Sequence, residues 1–403
     1  MNRLILSLIC AAAMAVERKA IVPSNGPKPV GPYTPGILAG EFLYVSGQGA
    51  RTPEGTFAAD AEGRVRQCLN NVKAIVEAAG LTMEHIVYSQ VYLHSSTSYE
   101  AMNKVWNEFF PKNPPARATL GVHRMPTETP VEITVVAITD LSKKKAVIPS
   151  GYPKTANIAP GMMAGDRLYL SGFLGRDVNS GKIPDTIEAQ VQLALDRMKQ
   201  VLTAAGMDFR HMVFVNPYLT SAVPSNVMNR IYARHFEFGN TPARATIQVA
   251  FLPHGANIEF TGVAIKDLAK RSAVRPKNMA PSATASPCVW AGDTFYCSAK
   301  SGFITGVNGG IYADNVEDQV RQSMRNLLDG LEEAGLDFSH VVASNVYVDN
   351  LDEFAKMNAV YGKYFLKMPP TRTTVSPLPP VERKRSTNGH FPKLEEISIV
   401  AVK

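Results

Sequence analysis

The stretch Ala39-Gly40-Glu41-Phe42-Leu43-Tyr44-Val45-Ser46-Gly47 returns as Ala164-Gly165-Asp166-Arg167-Leu168-Tyr169-Leu170-Ser171-Gly172. It returns again as Ala291-Gly292-Asp293-Thr294-Phe295-Tyr296-Cys297-Ser298-Ala299. A second marker follows each copy: Pro115-Ala116-Arg117-Ala118-Thr119, Pro242-Ala243-Arg244-Ala245-Thr246 and Pro370-Thr371-Arg372-Thr373-Thr374. The arginines are 127 and then 128 residues apart, so the 403-residue chain reads as one unit written three times. The units are expected at 17–145, 146–271 and 272–403, the third with an insertion near 381–391.

Each unit carries the same elements. Two apolar runs flank the Ala-Gly turn and predict a hairpin. A helix follows, its apolar stripe at i, i+3, i+4, i+7 spacing: Val65, Cys68, Leu69, Val72, Ile75, Val76 and Ala79 in unit one. Gly80, Gly206 and Gly335 end these helices. A strand, a shorter helix and two closing strands complete the unit, the first closing strand entered through a proline. The fold class is therefore α/β, in the α+β sense. Basic junctions at Lys143-Lys144-Lys145 and Lys270-Arg271 read as solvated linkers, as does Arg383-Lys384-Arg385 in the insertion.

Composition narrows the class. Hydrophobic residues make up 45% and charged residues 19%, which excludes a disordered chain, a collagen and a coiled coil. The excess of 42 Lys and Arg over 35 Asp and Glu is modest and scattered, so it suits anionic ligands without arguing for nucleic acid. Outside the repeat, residues 1–16 combine a basic Arg3, an apolar Leu4–Ile9 run and Ala13-Met14-Ala15, the pattern of a secretory leader. The expectation is export to the periplasm or beyond, with no membrane attachment after cleavage; the alternative is a disordered start to a cytoplasmic protein. If Gly292-Asp293 is a two-residue turn, Cys288 and Cys297 stand opposite each other within disulfide range.

Three polar positions recur without an obvious packing reason: Arg117/Arg244/Arg372, Glu132/Glu259/Glu396 and Asn103/Asn229/Asn358. A guanidinium fixed just after a proline can hold a carboxylate bidentately. The competing reading is an ion pair inside each unit, since Arg117–Glu132 and Arg244–Glu259 share a hairpin-like spacing of 15. The asparagines either bond a neighbouring loop or face a ligand. His85, His211 and His340 also recur, and a capping role is favoured over a zinc site. No HExxH, paired CxxC, P-loop or GxSxG motif is present.

Gly31-Pro32-Tyr33, Val45-Ser46-Gly47-Gln48, Pro115-Ala116-Arg117 and Val131-Glu132-Ile133 together resemble the RidA/YjgF family of enamine/imine deaminases, many labelled endoribonuclease L-PSP. The resemblance covers nearly the whole chain after the leader, fullest in unit one and weakest in unit three. It implies chorismate-mutase-like units that in the family form homotrimers with clefts between subunits. Three fused copies would make an intramolecular pseudo-trimer, a monomer in solution. It further implies hydrolysis of a carboxylate-bearing 2-imino or enamine acid to a 2-keto acid and ammonia, with no cofactor and no metal. Arg117, Arg244 and Arg372 would bind the substrate carboxylate, joined by Tyr33, Ser46, Gly47 and the three asparagines. Glu132, Glu259 and Glu396 would orient water, and Thr119 and Thr246 stand where the family often has a cysteine. Tyr33 becomes Ile158 and Ala285, Gln48 becomes Phe173 and Lys300, and the Arg372–Glu396 spacing stretches to 24. The site built with unit one is therefore expected to be the most competent, and a loop to overhang the cleft of unit three. Alternatives are a non-catalytic carboxylate binder and an endoribonuclease.

Overall fold

The computed structural model describes residues 16–153, 157–306, 310–387 and 389–403. The leader expectation falls on residues outside these, save Val16. Among the described residues no helix is long and apolar enough to cross a membrane.

Unit one consists of β1 (Arg18–Ile21), β2 (Gly36–Ala39), β3 (Phe42–Gly49), α1 (Ala61–Ala78), β4 (Ile86–Leu93), α2 (Tyr99–Phe109), β5 (Ala116–Gly121) and β6 (Val131–Ile138). The sheet order is β1-β2-β3-β6-β4-β5, antiparallel except for the β4–β5 pair. That parallel pair needs a crossover, which α2 supplies. Unit two repeats the plan as β7 (Lys144–Val147), β8 (Gly161–Ala164), β9 (Arg167–Leu174), α3 (Ile187–Ala204), β10 (Met212–Leu219), α4 (Ser225–Tyr232), β11 (Ala243–Arg244), β12 (Ile247–Gln248) and β13 (Ile258–Ile265). Unit three comprises β14 (Arg271–Val274), β15 (Cys288–Ala291), β16 (Thr294–Lys300), α5 (Val316–Glu333), β17 (Val341–Val348), α6 (Phe354–Tyr361), β18 (Thr371–Val375) and β19 (Glu395–Val402).

The sequence reading needs two corrections here. The basic junctions are not solvated linkers: Lys144–Val147 and Arg271–Val274 are the first strands of units two and three, paired to β8 and β15. Their cations tie each new strand to the unit before it. Lys144 Nζ donates to the carbonyls of Glu84 at 2.7 Å and Asn113 at 3.0 Å, and Arg271 Nε donates to that of Met212 at 2.8 Å. Arg383 is likewise no solvated charge, since its guanidinium pairs with Asp349 at 3.0 Å and Glu353 at 2.5 Å. In unit two the first closing strand is also broken, into β11 and β12, both parallel to β10.

The helical stripe packs as its spacing predicts, with Val65, Cys68, Leu69, Val72, Ile75 and Val76 all buried on α1. Each unit has such a core between helices and sheet. The strands, however, are buried on both faces. Leu43 and Val45 point into the core of unit one, whereas Phe42 and Tyr44 join a cluster with Tyr169 of unit two and Tyr296 of unit three. Burial on both faces explains why the strands read as apolar runs rather than as alternating patterns.

A sheet edge carries unpaired backbone groups, and β5, β11 and β18 are such edges. Each is covered by the next unit. The backbone N–H of Arg117 donates to Ser171 Oγ at 2.8 Å, that of Arg244 to Ser298 Oγ at 2.8 Å, and that of Arg372 to Ser46 Oγ at 2.9 Å. The hydroxyls donate in turn to the carbonyls of Ala159, Ser286 and Thr34 at 2.7, 2.6 and 2.7 Å. Unit one thus meets two, two meets three, and three meets one.

The Cys288–Cys297 pair lies in register across the β15–β16 hairpin, its Cα atoms 4.0 Å apart, and is disulfide-bonded. Thiol titration of the denatured chain is predicted to find two more thiols after reduction than before; an unchanged count would remove the bond.

Candidate functional site

The seam that joins the units also builds the clefts. Arg117, Arg244 and Arg372 face the glutamates of the following unit, not their own. Glu259 lies in the field of Arg117, Glu132 in that of Arg372, and Glu396 acts on Arg244. The in-unit ion pair considered from spacing is therefore not what forms, because β5, β11 and β18 turn their arginines across the seam.

The Arg372 cleft takes Glu132, Tyr33, Gly47 and Gln48 from unit one and Arg372, Thr374 and Phe354 from unit three, around a cavity of about 60 Å³. Rings of Tyr33, Phe354 and Tyr361 surround the guanidinium carbon at 5.6, 5.4 and 5.0 Å, an aromatic collar that holds a cation with little water. Arg372 Nη1 and Asn358 Oδ1 are buried without a protein hydrogen-bond partner. Gly31 leaves room for both side chains, since a Cβ there would stand 2.6 Å from Arg372 Nη2 and 3.1 Å from Asn358 Nδ2. The carboxylate of Glu132 lies directly over Gly47: a Cβ would fall 2.0 Å from Oε1. A backbone N–H from Thr374 reaches that carboxylate, while burial pushes its pKa up to about 8 against the pull of Arg372. Ser46 reaches the backbone of Arg372 through the seam bond.

The Arg117 cleft repeats this with different walls. Arg117 donates to Asn103 Oδ1 at 2.6 Å and to Tyr99 OH at 3.4 Å. Glu259 accepts from the Thr119 backbone, has its Oε1 without a partner, and is also pushed up to about 8 by burial. Its Oε1 lies over Gly172, where a Cβ would be 1.9 Å away. Ile158 stands in place of Tyr33, but a phenol arrives from the opposite wall as Tyr99. Its ring meets His254 edge-on at 5.2 Å, and His254 sits at φ +58 in a turn that holds a left-handed non-glycine residue. Sequence reasoning missed Tyr99 and His254. The repeat itself carried a signal, since Tyr99 and Phe354 both stand 18 residues before their arginines.

The Arg244 cleft departs most. Arg244 keeps its asparagine, donating to Asn229 Oδ1 at 2.7 Å. Ala299 occupies the position of Gly47 and Gly172, so the place over the strand that the other two carboxylates use is filled by a methyl group. Glu396 is instead ion-paired to Lys393 at 2.5 Å. Lys300, replacing Gln48, adds a second cation in the field of Glu396. Thr246 and Glu396 line a surface depression with Pro377, Leu378, Pro379 and Val381, the last of these in the expected insertion.

The recurring histidines lie elsewhere. The Nδ1 atoms of His85, His211 and His340 accept from the backbone N–H groups of Thr82, Asp208 and Asp337 at 3.1, 3.1 and 3.2 Å, each closing its own short turn.

Comparison with known proteins places these clefts in a class. The sequence profile of the family described as Endoribonuclease L-PSP matches residues 23–139, 153–266 and 276–379, and the chain belongs to that family as three tandem repeats. Each unit has the RidA chorismate-mutase-like fold. A RutC family protein of Saccharolobus solfataricus is 37% identical over 122 residues, covering 30% of this chain and 97% of that protein. The 2-iminobutanoate/2-iminopropanoate deaminase of Escherichia coli K12 is 36% identical over 124 residues, again 30% of this chain and 97% of the relative. Among solved structures, the E. coli YjgF gene product is 36% identical, with a TM-score of 0.29, and covers 30% of this chain and 99% of its own.

Glu132 and Glu259 have folded-state pKa values above the usual 4.5 because burial disfavours their charge. Between pH 4.5 and 8 the folded chain therefore holds more protons than the unfolded one, and stability falls as pH rises through that window. A Glu132→Gln/Glu259→Gln variant is predicted to flatten this slope in melting curves from pH 5 to 8. An unchanged slope would place the carboxylates in water.

Proposed function

We propose that the chain is a hydrolase of small 2-imino acids and that it works in two of its three clefts, those of Arg372 and Arg117. The observation that supports this best is the pairing across the seam: a buried arginine with unpartnered N–H groups on one unit, and a carboxyl seated over glycine on the next. The relatives named as 2-iminobutanoate/2-iminopropanoate deaminases support the same chemistry. A cavity of about 60 Å³ suits a carboxylate of a few carbons better than a nucleotide.

Arg372 takes the substrate carboxylate through two charge-assisted bonds, fixing the adjacent imine carbon in front of Glu132. In its ionised form Glu132 accepts a proton from water as the oxygen attacks that carbon. Glu132 passes that proton to the imine nitrogen to give the carbinolamine. It then takes the carbinol hydroxyl proton and delivers it to the same nitrogen as the C–N bond breaks, so that a 2-keto acid and ammonia leave and Glu132 is again ionised. A carboxyl with a pKa of about 8 suits both steps near neutrality, because it releases and accepts the proton with little driving force lost. Glu259 and Arg117 act in the same way, with Tyr99 replacing the phenol of Tyr33. In the Arg244 cleft the Lys393–Glu396 ion pair favours a second reading, carboxylate binding without turnover.

The two working clefts act in parallel, so single substitutions remove shares. With an imine generated in situ and ammonia release as the readout, Arg372→Ala is predicted to remove the largest share and Arg117→Ala the remainder. Arg244→Ala is predicted to stay near the wild-type rate. Equal losses from all three would contradict the assignment.

A further inference from the structure

Where the helix-free faces of the three sheets meet lies a second cavity, of about 120 Å³, lined by residues of all three units. It has room for water or for a ligand of acetate size. Its walls are built from equivalent triplets, and two of these are tyrosines. At one end the hydroxyls satisfy one another: Tyr347 interacts with Tyr92 and Tyr218, and Tyr218 OH donates to Gln90 Oε1 at 3.2 Å.

The other end differs. The phenol oxygens of Tyr44, Tyr169 and Tyr296 are buried, and none has a hydrogen-bond partner of normal geometry, although Tyr44 lies near Thr294 and Tyr296 near Tyr169 and Arg167. The Arg167 guanidinium faces all three. It stacks on Phe42 at 4.5 Å, and its Nη2 donates to Asp293 at 2.6 Å and to the Ala291 carbonyl at 3.3 Å. Its Nε and Nη1 are buried and unpartnered, and Asp293 is itself half exposed. Three hydroxyls and two guanidinium nitrogens therefore gather with more protons to donate than oxygens to receive them. Leaving buried donors unmatched is costly, so the arrangement calls for an acceptor, and a charged one matches the guanidinium.

Only one unit supplies a charge at this position beside the phenols. The positions equivalent to Arg167 are Phe42 and Thr294. A symmetric assembly of identical subunits would have to bring three arginines to this point or none. Three repeats on one chain can place a single cation there, and one cation suits one small anion.

We propose that the end of this cavity lined by Tyr44, Tyr169 and Tyr296, with the Arg167 guanidinium beside the three phenols, binds one small monoanion per chain, a halide or a carboxylate of acetate size. Two measurements on the full-length chain test it together. Crystals soaked in sodium bromide are expected to show one anomalous peak within hydrogen-bond distance of the three phenols. The melting temperature is expected to rise as chloride or acetate replaces, at constant ionic strength, a sulfonate too large for the cavity. That rise should vanish in Tyr169→Phe/Tyr296→Phe, which keeps the rings and removes two donors, and in Arg167→Met. Loss of the bromide peak in acetate extends the site to carboxylates, and its persistence restricts the site to halides. A bromide map without a peak at the phenols overturns the proposal, as does an equal melting shift in wild type and the tyrosine variant.

Discussion

Everything in this molecule hangs on a backbone N–H that cannot be satisfied inside its own sheet. The strand that carries the arginine is the last of its sheet, and its outward amide needs a partner. The hydroxyl of Ser46, Ser171 or Ser298 on the next unit provides it and passes its own proton to a carbonyl, so one serine fixes two backbone positions. Because the satisfied amide belongs to the arginine, closing the seam and aiming the guanidinium are a single event. The cleft follows from the way the units close.

Placing three copies on one chain frees each cleft from the others. The Arg372 and Arg117 clefts keep glycine beneath the glutamate, and the carboxyl is held out of water against the strand. In the Arg244 cleft one methyl group, Ala299, fills that place, and Glu396 turns to Lys393. Two cations, Lys393 and Lys300, then lie in the field of the carboxylate whose counterparts are raised by burial. The phenol moves as well, from Tyr33 on one wall to Tyr99 on the other. Where the clefts diverge, the seam does not: all three serine bonds are within 0.1 Å of each other, at 2.8, 2.8 and 2.9 Å.

The repeat, the hairpins, the helical stripes and the Cys288–Cys297 register were legible because they rest on local periodicity and spacing. Lys144 and Arg271 misread as linker because a four-residue edge strand has too few residues to show alternation, and its cations look like solvated charge. The partnership of Arg117 with Glu259 rather than Glu132 was invisible for a different reason. Both glutamates stand at equivalent positions, and only the three-dimensional closure says which one an arginine meets. Ser46 recurred beside Gly47 and drew a ligand-binding reading, whereas its hydroxyl joins the seam and the glycine makes room for the carboxyl.

The central claim is that competence follows the carboxyl over glycine and is confined to two clefts. Ammonia release from an in situ generated 2-imino acid by an Arg117→Ala/Arg372→Ala variant tests it most directly, since only the Arg244 cleft then keeps its arginine. The account predicts a rate at the uncatalysed background in a chain that melts as the wild type does. A rate at or above one third of wild type would contradict it.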